Sequence, residues 1–476
     1  MNTKKQFFGR KHEMTLLKEE YEKPSASLVV MYGRRRVGKT RLITEFYTDK
    51  SLWRFDGLEA EPKLKQIRAL LAQLSQLTAN PLYTSVNCND WIAFFKILDE
   101  AMAKKQHRLA LFLDELPYMA NRQQELISAL KWAWDNLWQD KAHFSLVLCG
   151  SIASFMIHKV LRASALYGRI SLEICLKPLS VPEVQQFFGT SFSLREICNL
   201  YMTCGGIPAY LQRFPKTKPL PQSIAQLSFC KDGYFVEEFD RLFKDVFLEE
   251  KIYKKIILTL AKNRDLKIPE LVADLDISGG GGVSDYMDNL ESAGFVKSII
   301  PWDKSDDSKL LRYRLEDEYL FFFFKFIHPN LRKIRDNTHL QWGLDLLRSR
   351  THMAWAALAF ERLCLKHVPF IARALGIEPL IQNSGPYFRK ADNVREGVQI
   401  DLMFVRHDPV ITLCEIKYQE GLVGKGIIPE IERKVAILGK TSKRIEKVLI
   451  TTMGMTKDLA ESGYFSKVLL LEDLFE

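Results

Sequence analysis

Uninterrupted apolar runs alternate with segments of helical period through the first third of the chain, and the pattern turns mostly helical after about residue 178. The runs at 27–32, 108–115 and 144–151 have the length and continuity of strands buried on both faces, the second ending in carboxylates. Residues 14–21, 62–77 and 91–103 place apolar side chains at helical spacing around them. Strands alternating with helices predict a parallel sheet whose ligand lies at the strands' C-terminal ends. Helices are expected at 182–188 and 193–202, then at 253–261, 268–275 and 284–292. Two strands at 295–300 and 311–315 follow, joined by the polar loop 303–308. Three helices and a hairpin make a winged-helix arrangement, with 279–282 as the glycine turn before its last helix. The aromatic block 319–324 requires burial and is expected to pack this unit onto a neighbour. Residues 332–337 read as linker, and a separate α/β unit is expected from about Thr351; no internal repeat or low-complexity tract interrupts the chain.

Composition adds limits. At 476 residues the chain accommodates about three domains. No apolar run approaches a membrane span, and the first residues lack a signal peptide's apolar core. The eight cysteines are scattered without a CxxC pair, which argues against a zinc site or a disulfide framework and for a reducing, cytoplasmic setting. The formal net charge of +10 either favours a polyanionic partner such as DNA or simply serves solubility.

The most informative stretch is Gly33-Arg34-Arg35-Arg36-Val37-Gly38-Lys39-Thr40, between the first apolar run and a helical segment. Two glycines, a lysine and a hydroxyl at this spacing define a P-loop: backbone N–H groups wrap a triphosphate at a helix N-terminus. Lys39 is placed for the outer phosphates and Thr40 for magnesium, so ATP and Mg2+ are the expected ligands. A glycine-rich turn before an ordinary helix is the bland alternative, and the strand–loop–helix order speaks against it. Asp114 and Glu115 end the second apolar run, where Asp114 would hold the metal and Glu115 would polarise the attacking water. Ser151 ends the third run and either approaches the outer phosphate or caps the next helix. Arg169 is either an arginine finger or a surface residue in a turn. The turn at 205–210, with Pro208, either presses against the base or caps a helix.

These stretches, with Phe8-Gly9-Arg10, Cys149-Gly150-Ser151, Tyr167-Gly168-Arg169 and Gly206-Ile207-Pro208, resemble the AAA+/STAND-related P-loop enzymes often called the archaeal ATPase family. The resemblance implies a winged helix beyond the ATPase core and, in one subgroup, a C-terminal restriction-endonuclease-like domain.

The C-terminal part carries chemistry that fits. Residues 397–405 alternate as a half-buried strand containing Asp401, and a turn at 407–409 returns the chain into 410–418. Glu415 and Lys417, two apart, emerge on one face, where Asp401 can approach if the strands pair. Two converging carboxylates make a hard-oxygen metal site, with a lysine beside it to orient water. The stretch resembles the PD-(D/E)XK nuclease core. That resemblance makes Asp401 and Glu415 metal ligands, Lys417 catalytic, and Glu361 the acidic residue contributed upstream. A hairpin with an ordinary Glu/Lys surface pair is the alternative. The helix at 284–292 holds three acidic residues and no Lys or Arg, so it is better suited to protein contact than to DNA.

The reading is therefore an α/β chain: P-loop AAA+-type ATPase core at 1–177, helical lid at 178–245, winged helix at 246–325, linker at 326–350 and nuclease-like domain at 351–476. Its function would be ATP hydrolysis coupled to a metal-dependent nuclease acting on DNA, possible as a homo-oligomer and without a membrane. The alternatives are a nucleotide-dependent signalling or assembly switch, and an ATP-driven motor on DNA.

Overall fold

The computed structural model describes residues 6–103, 108–121, 123–162, 166–246, 250–263, 265–275, 281–299, 311–336, 340–389, 396–438 and 442–475. Five strands, β1 (Ser27–Tyr32), β2 (Ser51–Asp56), β3 (Leu109–Asp114), β4 (Phe144–Gly150) and β5 (Leu172–Cys175), form a parallel sheet in the order β2-β3-β4-β1-β5. The three continuous apolar runs are its interior strands, buried along their whole length. β2 and β5 are the edges, half-exposed and broken by Arg54 and Glu173, so no continuous apolar run marks them. The order sets β4 between β1 and β3, so the C-terminal ends of all three open onto one edge. There β1 turns sharply into the P-loop. Gly33 has φ +146°, and a Cβ on it would lie 2.3 Å from the Leu176 carbonyl oxygen, so only glycine passes.

After β5 come helices Val181–Phe188, Leu194–Cys204, Leu220–Phe229 and Tyr234–Val246. Helices Glu250–Lys262, Ile268–Leu275 and Gly281–Ser292 then lead into β6 (Val296–Ile299), which pairs antiparallel with β7 (Arg312–Leu315). A bridge from Leu266 to Tyr313 adds a third segment to this small sheet. The expected loop 303–308 and residues 279–280 of the glycine turn lie outside the described residues. The aromatic block forms helix Glu318–Phe322 and the π-helical turn Phe323–Ile327. Phe323 stacks on Phe239 at 5.0 Å and Phe322 meets Phe229, burying the block against the two preceding lid helices.

The stretch expected as linker is a correction: it folds as helices Leu331–Arg335 and Leu340–Leu347, and residues 337–339 between them are not described. Arg332, Lys333 and Arg335 surround the buried Ile334 in the first of these helices. Gly343 lies so close to the lid that a Cβ would meet the Phe229 ring at 2.8 Å. The boundary expected at Thr351 is likewise not a break in the core. Trp355, Phe360 and Leu363 of helix Arg350–Lys366 belong to the same hydrophobic cluster as Val29, Met31 and the lid. Val181 N–H donates to His367 Nε2 at 3.1 Å, and the Tyr418 hydroxyl to Asn199 Oδ1 at 2.5 Å, across the same junction.

The C-terminal sheet contains β8 (Ile381–Arg389), β9 (Val398–Arg406), β10 (Val410–Lys417), β11 (Arg444–Thr451) and β12 (Lys467–Leu469) in the order β12-β11-β10-β9-β8. β8, β9 and β10 pair antiparallel, whereas β10, β11 and β12 are parallel, with helix Ile428–Leu438 between β10 and β11.

Candidate functional site

The P-loop runs from β1 to helix Lys39–Phe46, whose N-cap Gly38 is left-handed at φ 95°. Lys39 is buried, its Nζ donating to the Gly33 and Arg34 carbonyl oxygens at 3.0 and 3.1 Å. The Thr40 hydroxyl donates to Asp114 Oδ2 at 2.7 Å, joining the P-loop to the end of β3. Burial pushes the Asp114 carboxyl up, with nearby Glu115 adding to the shift against the Thr40 hydrogen bond and Arg54. Glu115 sits in the left-handed region at φ 51°, an uncommon conformation for a non-glycine residue. Its carboxylate accepts from the Ser151 hydroxyl at 2.7 Å and from the Ser151 N–H at 3.2 Å. Ser151 thus holds Glu115, and Ile152 rather than Ser151 stands at the next helix's N-cap.

A cavity of about 380 Å³ opens on these groups, lined by Phe7, Phe8, Arg10, Lys39, Thr40, Glu115, Phe187 and Pro208 among others. Pro208 enters it because Gly206 packs against the segment after β5. Leu179 N–H donates to the Gly206 carbonyl at 2.8 Å, and a Cβ on Gly206 would clash with the Leu179 oxygen. Arg169 does not line this cavity; its guanidinium makes a two-pronged pair with Asp135 at 2.5 and 2.8 Å.

Of the three arginines of the P-loop, Arg36 lines this cavity and Arg34 and Arg35 do not. Arg34 pairs with Asp317, Arg36 pairs with Glu238, and Arg35 reaches the Tyr118 hydroxyl at 3.4 Å. Reading the sequence missed these partners and gave Arg10 no role. Arg10, left-handed at φ 61°, donates through Nη2 to the Val37 carbonyl at 3.0 Å, and its N–H meets Glu183 at 2.6 Å. Its signal was present in Phe8-Gly9-Arg10, a basic residue directly before the first helix.

A second constellation lies in the C-terminal sheet. Cys414 pairs with Leu402 across β9 and β10, which sets Asp401 opposite Glu415 one step further. Asp401 Oδ2 accepts from the Ile416 N–H at 3.0 Å. Burial first, then the charge of Glu415, pushes the Asp401 carboxyl up to about 6. Glu415 is fully buried and held by two ammonium groups, Lys417 at 2.8 Å and Lys434 at 2.7 Å. Lys434, on helix Ile428–Leu438, was not foreseen; within the surface-like run Glu432-Arg433-Lys434 it has no distinguishing neighbour. Glu361 lies on helix Arg350–Lys366, but among the described residues no three acidic, His or Cys groups gather as a metal site.

Helix Gly281–Ser292 buries Val283, Met287 and Leu290 and leaves Asp285 and Asp288 exposed. Partial desolvation raises the Asp288 carboxyl, as do Glu291 and Asp285, while His158 and Arg162 of the ATPase core oppose the shift. No helix among the described residues is long and apolar enough to cross a membrane.

A parallel sheet that brings a P-loop, a strand-ending Asp-Glu pair and a hydroxyl together defines the class of P-loop ATPases. Residues 7–214 match a family described as an ATPase domain predominantly from Archaea, and over these residues the chain belongs to that family. An uncharacterized protein of Methanocaldococcus jannaschii is 27% identical over 333 residues, covering 69% of this chain and 71% of that protein. An uncharacterized ATP-binding protein of the same organism is 44% identical over 48 residues, covering 10% of this chain and 81% of that protein. Among solved structures, a Walker-type ATPase of Pyrococcus abyssi aligns with a TM-score of 0.49 and 18% identity, covering 67% of this chain and 96% of that one.

Proposed function

We propose that the chain hydrolyses ATP at the end of β1, β3 and β4, with Glu115 polarising the attacking water. The observation that carries this reading is the 2.7 Å contact between the Thr40 hydroxyl and Asp114, with Glu115 turned beside them onto Ser151. A hydroxyl and a carboxylate oxygen already adjacent suit Mg2+, and Thr40 and Asp114 would hold it. When bound, that ion supplies charge neutralisation for the phosphates. Lys39 would leave its loop carbonyls for the outer phosphates, and Phe8 and Pro208 would flank the base. Phosphate release from ATP by the full chain, compared with Lys39→Ala and Glu115→Gln, tests the reading. Equal turnover in all three sinks it. Binding without turnover in the unaltered chain leaves a nucleotide-dependent switch.

A second activity is favoured by the register of β9 and β10. We read Asp401, Glu415 and Lys417 as a phosphodiester-cleaving site of PD-(D/E)XK type, with DNA as the substrate the basic chain attracts. The two carboxylates offer hard oxygens suited to a divalent ion, but both Glu415 oxygens are engaged by lysines, one of which would have to move. Cleavage of DNA with magnesium or manganese, compared with Asp401→Ala and Glu415→Ala, tests it; absence of cleavage, or its persistence in both variants, ends the assignment. The three helices with β6 and β7 we read as a winged helix used for protein contact, since its acidic helix already faces His158 and Arg162. A cytoplasmic location and possible self-association complete the reading.

A further inference from the structure

Three successive arginines in a phosphate-binding loop present a physical difficulty. Their charges repel, and each side chain is long enough to fold over the ligand or to distort the loop. Arg36 adds strain of its own, since its φ of 72° is uncommon for a non-glycine residue and persists only where surroundings enforce it. The enforcing groups come from far along the chain. Glu238, fully buried on helix Tyr234–Val246, pairs with Arg36 and also accepts from the Tyr210 hydroxyl at 2.8 Å, while Arg36 donates to the Tyr234 hydroxyl at 2.8 Å. Asp317, also buried, caps helix Glu318–Phe322 by accepting from the Leu320 N–H at 2.7 Å and gives its other oxygen to Arg34, whose guanidinium lies 4.8 Å over the Phe295 ring. The two anchors are themselves joined, because the Tyr319 hydroxyl donates to the Phe235 carbonyl at 2.8 Å. Both carboxylates lie beyond residue 214, where the ATPase-family match ends.

We propose that Asp317 and Glu238 are positioning residues for the nucleotide: by fixing the Arg34 and Arg36 side chains they hold the P-loop backbone in its binding shape. Backbone N–H groups and Lys39 are then presented to the phosphates, with Arg36 held at the cavity wall by Glu238. The nucleotide site is therefore completed by the lid and by the segment after β7. This rests on the reading of the P-loop as an ATP site.

The test uses the full chain, Mg2+ and a methylanthraniloyl-ATP probe, with thermal melting measured alongside. Asp317→Asn and Glu238→Gln are expected to weaken probe binding about tenfold and to raise KM for ATP more than they lower kcat. Breaking a buried pair also threatens folding, whereas replacing both partners by apolar residues restores stability. The paired variant Arg34→Met with Asp317→Leu is therefore expected to melt near the unaltered chain yet still bind the probe about tenfold more weakly. Recovery of both stability and affinity in the paired variant overturns the proposal, since the ion pair would then serve folding alone. So does unchanged or tighter binding in Asp317→Asn, because a freed Arg34 would then be a direct phosphate ligand. Failure of the unaltered chain to bind the probe refutes the ATP site itself, a separate result.

Discussion

The nucleotide site and the acid–lysine site place similar groups at strand ends and hold them in opposite ways. In the first, the charged residues are anchored over long distances: Arg34 to Asp317 across 283 residues and Arg36 to Glu238 across 202. Its central carboxylate, Asp114, meets a hydroxyl, the next residue's N–H and a partly exposed arginine. In the second, the contacts are local. Asp401 accepts from a backbone 15 residues away, and Lys434 reaches Glu415 from 19. Glu415 is enclosed between two ammonium groups. The difference teaches that the first site is built to be responsive to the lid and its neighbours, and the second to be charge-balanced on its own.

The sharpest break of this comparison is chemical. Lys39→Ala or Glu115→Gln is expected to lower ATP turnover about 10³-fold while the melting temperature barely moves, because each removes a group used on the ligand. Steady-state phosphate release and a thermal melt check this. A large loss of stability instead would mean that the nucleotide site is as locally self-supporting as the C-terminal one.

What could be read from the chain follows the same division. β1, β3 and β4 are legible because strands buried on both faces are continuous apolar runs, and the P-loop because its residues are contiguous. β2 and β5, interrupted by Arg54 and Glu173, are not. Asp401, Glu415 and Lys417 are legible through the period-two alternation of paired strands and a short turn. Lys434 is not, since a lysine on an amphipathic helix looks solvated whether or not it points inward. Asp317 and Glu238 leave no local trace at all: nothing near them indicates which arginine they hold. The helix Leu331–Arg335 was hidden by Arg332, Lys333 and Arg335, which gave it the composition of a linker.

The next effects belong to the second site. Glu415→Gln leaves two lysines facing an uncharged amide in a buried setting and is expected to cost about 3 kcal/mol, read as a fall in denaturation midpoint. Asp401 then gives a pH signature. Its folded pKa of about 6 lies above the ordinary carboxylate value of 3.8, so the folded state binds the proton more tightly than the unfolded one. The resulting contribution is fully present below about pH 4 and is lost as pH rises through about 6, an effect on the order of 2 kcal/mol. Denaturation of the unaltered chain and of Asp401→Asn in a chelator, from pH 4 to 7, should show their stability difference changing in that window. Parallel curves would remove Asp401 from the buried cluster.

The smallest expected effect concerns Arg169. Its pair with Asp135 is partly solvated, and pairs of this kind contribute about 0–1 kcal/mol. Within one chain it does not line the cavity, so Arg169→Ala should leave both the melting point and the turnover of dilute protein nearly unchanged. The informative measurement is turnover against protein concentration. If the specific rate of the unaltered chain rises with concentration and that of Arg169→Ala does not, the arginine is supplied to a neighbouring copy, and the nucleotide site depends on a second chain as well as on distant parts of its own. If both remain flat, Arg169 serves only its surface pair, and every group proposed to complete the site comes from the same chain.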